Sequence, residues 1–375
     1  MVYIATPPRA GAYGTNANRT QEVPDRSAVF AALDLGTNNC RLLVGARVGD
    51  GFRVLDSFSR IVRLGEGLQV TGQLSDAAQE RTIAALHACA ARLSRRAIAG
   101  LRAVATEACR RAGNGADFLA RVHEETGIPF DVISTREEAE LALESCAPLL
   151  HGQRPRALLF DIGGGSTELA WVRLPPPSAA HRPPELIGYL SLPVGVVTLA
   201  ERFGHCGFSD DGYQDMVADV RDRLVAFERI HCIGHEIRLD GVHLLGTSGT
   251  VTTLAGVALN LQRYRRPDVD GVVLAADVAH AAIAQLRSLG RDGLMHHPCV
   301  GPERADFVLT GCAIFEAIHD VFPAAEVMVA DRGLREGMLL RMMRATPYRM
   351  RGTFPARPPA FARQRRPVTQ DPGPA

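Results

Sequence analysis

The chain has 375 residues, 46% of them hydrophobic and 22% charged, which fits a folded globular protein of more than one domain. Its 42 basic side chains nearly balance 41 acidic ones, leaving a formal net charge of +1 and no global basic field for nucleic acid. No lysine occurs, so every cation is arginine, which excludes both a Walker-A phosphate lysine and a Schiff-base lysine.

Residues 1–27 are polar and carry Pro7-Pro8 but no apolar leader segment, and are expected to be an unstructured tail. Strands are expected at Ala28–Asp34, Arg41–Val48 and Phe52–Phe58, then an amphipathic helix at Ser75–Arg96 with Ser75 as its N-cap. Strand Leu101–Ala105, helix Ala116–Thr126, strand Phe130–Ile133 and helix Arg136–Leu150 follow in βαβ rhythm. A polar break at His151–Pro155 separates a first domain, 28–150, from a second, 151–345. Beyond it the pattern restarts: Leu33-Asp34-Leu35-Gly36 is echoed by Phe160-Asp161-Ile162-Gly163, each an apolar strand ending in Asp-apolar-Gly. This reads as an internal duplication whose two Asp-x-Gly turns face each other across a cleft.

Gly241–Gln262 is the longest uncharged stretch, but its Gly, Thr and Ser content reads as strand, turn and buried helix, with no membrane span. The eight cysteines form no CxxC pair, so buried thiols in a reducing, cytoplasmic compartment are expected. His231 and His235 have HxxxH spacing, but Cys232 stands where a zincin has Glu, so surface or packing roles are expected. Residues 346–375 hold six arginines against Asp371 amid Pro and Ala, and are expected to be a second disordered tail. A tether for polyanions by counterion release is its functional reading.

The chemistry concentrates in a few turns. Gly163, Gly164, Gly165 and Ser166 let a backbone approach a ligand and aim N–H groups at phosphate oxygens. Asp161 and Glu168 bracket that turn and suit a hard divalent cation such as Mg²⁺. In the upstream copy Thr37 and Asn38 offer short polar groups to a further phosphate, and Asp34 reaches the metal through water. Gly246, Ser248 and Gly249 open an apolar helix whose N-terminus suits an anion, though a plain capped turn fits as well. Arg110 is expected on a βα loop as a planar phosphate ligand. Glu137, Glu138 and Glu140 stand at a strand-to-helix junction, where acids serve the helix dipole or orient a water for attack on phosphorus.

Taken in order, the motifs resemble the exopolyphosphatase / guanosine pentaphosphate phosphohydrolase family. They are Asp34-Leu35-Gly36-Thr37-Asn38-Asn39-Cys40-Arg41, Arg63-Leu64-Gly65-Glu66-Gly67, Ala105-Thr106-Glu107-Ala108-Cys109-Arg110, Ile133-Ser134-Thr135-Arg136-Glu137-Glu138, Asp161–Leu169, Gly246–Thr250 and Asp331–Gly337. The resemblance implies a duplicated ribonuclease-H-like α/β fold of the actin and sugar-kinase superfamily. It also implies a metal-dependent hydrolase that releases terminal orthophosphate from polyphosphate, with guanosine pentaphosphate as the alternative substrate. By the same resemblance Glu138 is the catalytic base, Arg110 a phosphate arginine, Asp161 and Glu168 metal-site acids, and Gly163–Ser166 the phosphate cradle. The last helix, about 334–343, is expected to return onto the first domain. No nucleic acid or membrane partner is expected, and a homodimer stays open. A nucleotide-driven switch or kinase of the same superfamily is the more distant alternative. Long members of the family continue into further helical domains; a short form is expected here.

Overall fold

The computed structural model describes residues 28–49, 51–150, 154–179 and 182–345, so the readings made on both tails lie outside the described residues. Two mixed sheets carry the fold. The first orders its strands β3-β2-β1-β4-β5, from β1 (Val29–Leu35), β2 (Asn39–Val48), β3 (Gly51–Ile61), β4 (Gly100–Ala105) and β5 (Asp131–Val132). β1, β2 and β3 form an antiparallel meander, and β4 and β5 add in parallel beyond β1.

The second sheet repeats that plan with β6 (Arg156–Ile162), β7 (Thr167–Arg173), β8 (Glu185–Leu192), β9 (Val242–Thr247) and β11 (Glu326–Ala330). β10 (Val273–Ala275) is an added antiparallel edge on β11. The duplication extends to single bonds. Gly36 N donates to Asn39 O at 2.9 Å, and Gly163 N donates to Ser166 O at 2.9 Å. The register places Asp34 opposite Arg41 in one copy and Asp161 opposite Glu168 in the other. The fold is therefore a duplicated ribonuclease-H-like α/β architecture, as the motifs implied.

Both central strands are apolar on two faces because helices cover both sides. On β1, Ala31, Leu33 and Leu35 face one core while Phe30 and Ala32 face the other. On β6, Leu158, Phe160 and Ile162 alternate with Ala157 and Leu159 in the same way. The helix Asp76–Leu93 starts at Ser75, whose Oγ accepts from Ala78 N, and covers one face of the first sheet.

The helix Thr135–Cys146 holds the halves together. Its Ala139, Ala142, Leu143 and Cys146 pack on β6 and β7, while Leu141 joins the core behind β1. The last helix, Leu334–Ala345, inserts Leu334, Met338, Leu339 and Met343 into that first-sheet core. Gly337 lies so near the Leu141 carbonyl that no Cβ fits between them, and this absence lets the two helices meet backbone to backbone. Glu138 therefore sits on an element gripped by both sheets, at the end where the two glycine turns meet.

Candidate active site

The two turns are in contact. A Cβ placed on Gly164 would lie 3.0 Å from Asn38 Cβ, and one on Gly165 would lie 2.5 Å from Thr37 Oγ1. A side chain at either glycine would fill the gap between the two turns, which explains two glycines where the first copy tolerates Thr37 and Asn38. Gly163 spends its amide closing its own turn, so the N–H groups that remain for a ligand belong to Gly164 and Gly165.

Around this seam the carboxylates collect. Asp161 ends β6, and burial pushes its carboxyl up to about 6, with Arg41 opposing the shift and Asp34 adding to it. Glu168, directly across on β7, is pushed up to about 7 by burial, with Asp161 adding to the shift. Ser166 and Ser191 oppose it by hydrogen bonding, Ser191 Oγ donating to Glu168 Oε1 at 3.0 Å. Burial also raises Asp34, although Arg41 and Arg335 pull the other way. Glu138 is raised well above the usual carboxylate range by burial first and then by the charge of Glu168.

Arg110 is the cation beside Glu138. It stands on a five-residue helix, Glu107–Arg111, where the sequence suggested a loop. Its Nη1 donates to Ile133 O at 2.7 Å and its Nη2 to Glu107 Oε2 at 2.7 Å, while both nitrogens lie 3.4 Å from Glu138 Oε2. Burial works against its charge, and Glu138 and Glu107 together outweigh that cost.

In the third glycine turn one position departs from its expected place and another follows the capped-turn alternative. Gly246 lies within β9, where a Cβ would meet Phe160 Cζ at 2.5 Å; it is glycine to let an aromatic ring pack in the core. Ser248 has a positive φ of 114° and spends its Oγ accepting from Thr250 N, capping the helix Gly249–Ala258. At Gly249 a Cβ would meet only ordinary contact, 3.8 Å from Arg304 Cζ.

The sequence had not singled out Arg335, Arg304, Glu107 or Ser191. Arg335 reaches back from the last helix toward Asp34 and Arg41, and burial lowers its pKa. Its neighbour Glu336 is fixed by Arg266 at 3.0 Å. Arg304 donates to Thr253 Oγ1 at 3.4 Å. Across the mouth of the cleft, Gly67 N donates to Glu201 Oε1 at 3.0 Å and the Arg63 guanidinium lies 5.5 Å from the Phe307 ring centroid. His231 and His235 fall on separate helices, broken by Cys232 in the left-handed region. Cys206 and Cys232 are exposed and the other six cysteines buried. Among the described residues, no helix is long and apolar enough to cross a membrane.

Hard oxygen donors dominate the seam: the carboxylates of Asp34, Asp161 and Glu168, and Asn38 Oδ1, which is buried without a hydrogen-bond partner. That donor set fits Mg²⁺ and does not favour a soft metal. Among the described residues no three Asp, Glu, His or Cys side chains form a cation shell by themselves. The fit is therefore to a cation that completes its shell with water and substrate phosphates, the common arrangement for Mg²⁺.

Clustered buried acids burden the ligand-free fold. Glu168 is an acid whose folded pKa, about 7, exceeds the ordinary 4.5. Below about pH 4.5 it is protonated in both folded and unfolded states and costs nothing; the penalty grows up to pH 7 and is full above. Glu168→Gln is expected to raise the melting temperature of ligand-free protein by a few degrees at about pH 8, with the gain shrinking toward about pH 5. A thermal melt series over pH checks this, and a gain independent of pH would contradict the electrostatic cause.

Comparison with known proteins agrees with this geometry. The model of the Ppx/GppA phosphatase family matches residues 43–346. A Haemophilus influenzae protein named as a candidate exopolyphosphatase is 31% identical over 315 residues, covering 83% of this chain and 90% of that one. The crystal structure of an exopolyphosphatase-like protein superposes with a TM-score of 0.75 at 28% identity, covering 85% of this chain and 100% of the other. The Aquifex aeolicus Ppx/GppA member gives a TM-score of 0.68 at 27% identity, covering 84% and 97%. With a family model that covers most of the chain and a relative aligned over 315 residues, the chain belongs to the Ppx/GppA phosphatase family and is a hydrolase acting on phosphoanhydride bonds.

Proposed function

We propose that the protein releases terminal orthophosphate from inorganic polyphosphate. What supports this reading is that Glu138 feels the charge of Arg110, Glu168, Asp161 and Asp34 together, with Asp161 and Glu168 flanking the Gly163–Ser166 turn. A terminal phosphoryl group seated on the glycine turn meets Arg110 through a planar guanidinium suited to its oxygens. Glu138, kept basic by burial and neighbouring charge, orients a water toward phosphorus and accepts its proton. Little covalent chemistry is asked of the protein, since phosphoryl transfer is governed by positioning and charge stabilisation. Asp161, Glu168 and, through water, Asp34 are the residues that would hold Mg²⁺, which when bound neutralises charge on the phosphate oxygens.

The naming of the Haemophilus influenzae relative supports polyphosphate as the substrate. Phosphate release from polyphosphate, guanosine pentaphosphate and ATP, measured side by side, tests the reading. The highest kcat/KM is expected for polyphosphate. A higher value for guanosine pentaphosphate would assign the nucleotide substrate instead, and a preference for ATP would point to a nucleotide-driven member of the superfamily.

A further inference from the structure

Glu107 is a buried acid to which the proposed chemistry assigns no part. Its side chain is 10% exposed, as is that of Glu138, and both carboxylates compete for one guanidinium. The competition is unequal. Arg110 Nη2 donates to Glu107 Oε2 at 2.7 Å, whereas both Arg110 nitrogens stay 3.4 Å from Glu138 Oε2. The Ile133 carbonyl takes Nη1 at 2.7 Å, and Glu107 Oε1 is itself steadied by Arg111 Nε at 3.7 Å.

Without Glu107, Arg110 would keep Glu138 as its carboxylate within ion-pair distance among the described residues. A guanidinium and a carboxylate facing each other in a buried site close into a short, two-pronged pair. That pair would occupy the arginine edge meant for phosphate and the carboxylate meant for water. We infer that Glu107 is a positioning residue: by holding Arg110 with a shorter bond, it keeps the pairing of the guanidinium with Glu138 long, at 3.4 Å, and open to displacement by substrate. This inference rests on the roles proposed above for Arg110 and Glu138.

Glu107→Gln tests it, since the amide keeps the shape and removes the charge that holds Arg110. With polyphosphate as the probe, kcat is expected to fall about tenfold to hundredfold, in the range a displacement of about 1 Å produces, with a smaller change in KM. Glu107→Asp, which keeps the charge but draws it back by one methylene, is expected to recover part of the loss. It also supplies the measurement if the amide variant does not fold. The discriminating readout is a double-mutant cycle with Glu138→Gln. If Glu107 acts by keeping Arg110 off Glu138, the two losses are far from additive, because removing Glu138 removes the partner of the collapse. Additive losses, or Glu107→Gln turnover equal to wild type, would overturn the inference. Wild-type turnover in Glu138→Gln alone would instead remove the reading beneath it, so the two failures are distinct.

Discussion

Glu138→Gln is expected to lower kcat by about 10²–10⁴-fold with little change in KM, the usual contribution of a positioned acid–base group. The amide preserves the side chain's volume on a helix gripped by both sheets, so the fold has no reason to change. Only the capacity to orient a water and accept its proton is lost. Glu137→Gln is the internal control. Glu137 lies one residue away but turns toward Arg102, at 3.0 Å, and Arg341, at 3.8 Å, and its side chain is 31% exposed. Its loss removes two partly exposed ion pairs, each worth at most about 1 kcal/mol of stability, and is expected to leave turnover nearly intact. Phosphate release by the two variants, measured at saturating substrate, separates them. Near-normal turnover in Glu138→Gln would take this residue out of the chemistry.

Much of this arrangement was legible before any coordinates, because the duplication repeats a short local pattern. An apolar strand, Asp-apolar-Gly and a polar turn specify a strand-turn-strand unit by local rules alone, and two such units at Asp34 and Asp161 fixed the plan of both sheets. What escaped has physical reasons. The Glu107–Arg111 helix spans five residues, too few for a helical period to register against the strand before it. β10 has three residues and is defined by its partner β11, not by its own composition. Gly246 looked like part of a phosphate turn, yet its requirement comes from the Phe160 ring on the neighbouring strand. Arg335 joins Asp34 only because the last helix crosses back to the first sheet. No spacing rule spans such a return. Glu107 was visible as a letter in its motif but not as the short-range partner of Arg110.

Removing divalent cations is expected to abolish phosphate release, and the effect of Asp161→Asn shows why. Three buried carboxylates near one another repel, and Asp34 already works against ionisation of Asp161. Burial is the larger cause and Arg41 only partly offsets it, so a polyanionic substrate arriving at the seam adds negative charge to carboxylates already costly to ionise. A hard divalent ion held by Asp161, Glu168 and Asp34 would supply the charge that carboxylates and substrate oxygens both lack, and would be expected to bind weakly without substrate. Excess chelator should therefore stop turnover and added Mg²⁺ should restore it. On the proposed reading, Asp161→Asn would remove one negative donor from the residues that would hold the cation. It is expected to raise the Mg²⁺ concentration needed for half-maximal rate by about tenfold or more, with part of the maximal rate recovered at high Mg²⁺, because the loss falls mainly on assembling the ternary site. Titrating activity against Mg²⁺ for both proteins reads this directly. Full activity in excess chelator would sink the assignment, and an unchanged Mg²⁺ requirement in Asp161→Asn would move the cation away from β6, leaving Glu168 and Asp34 as the acids to test next.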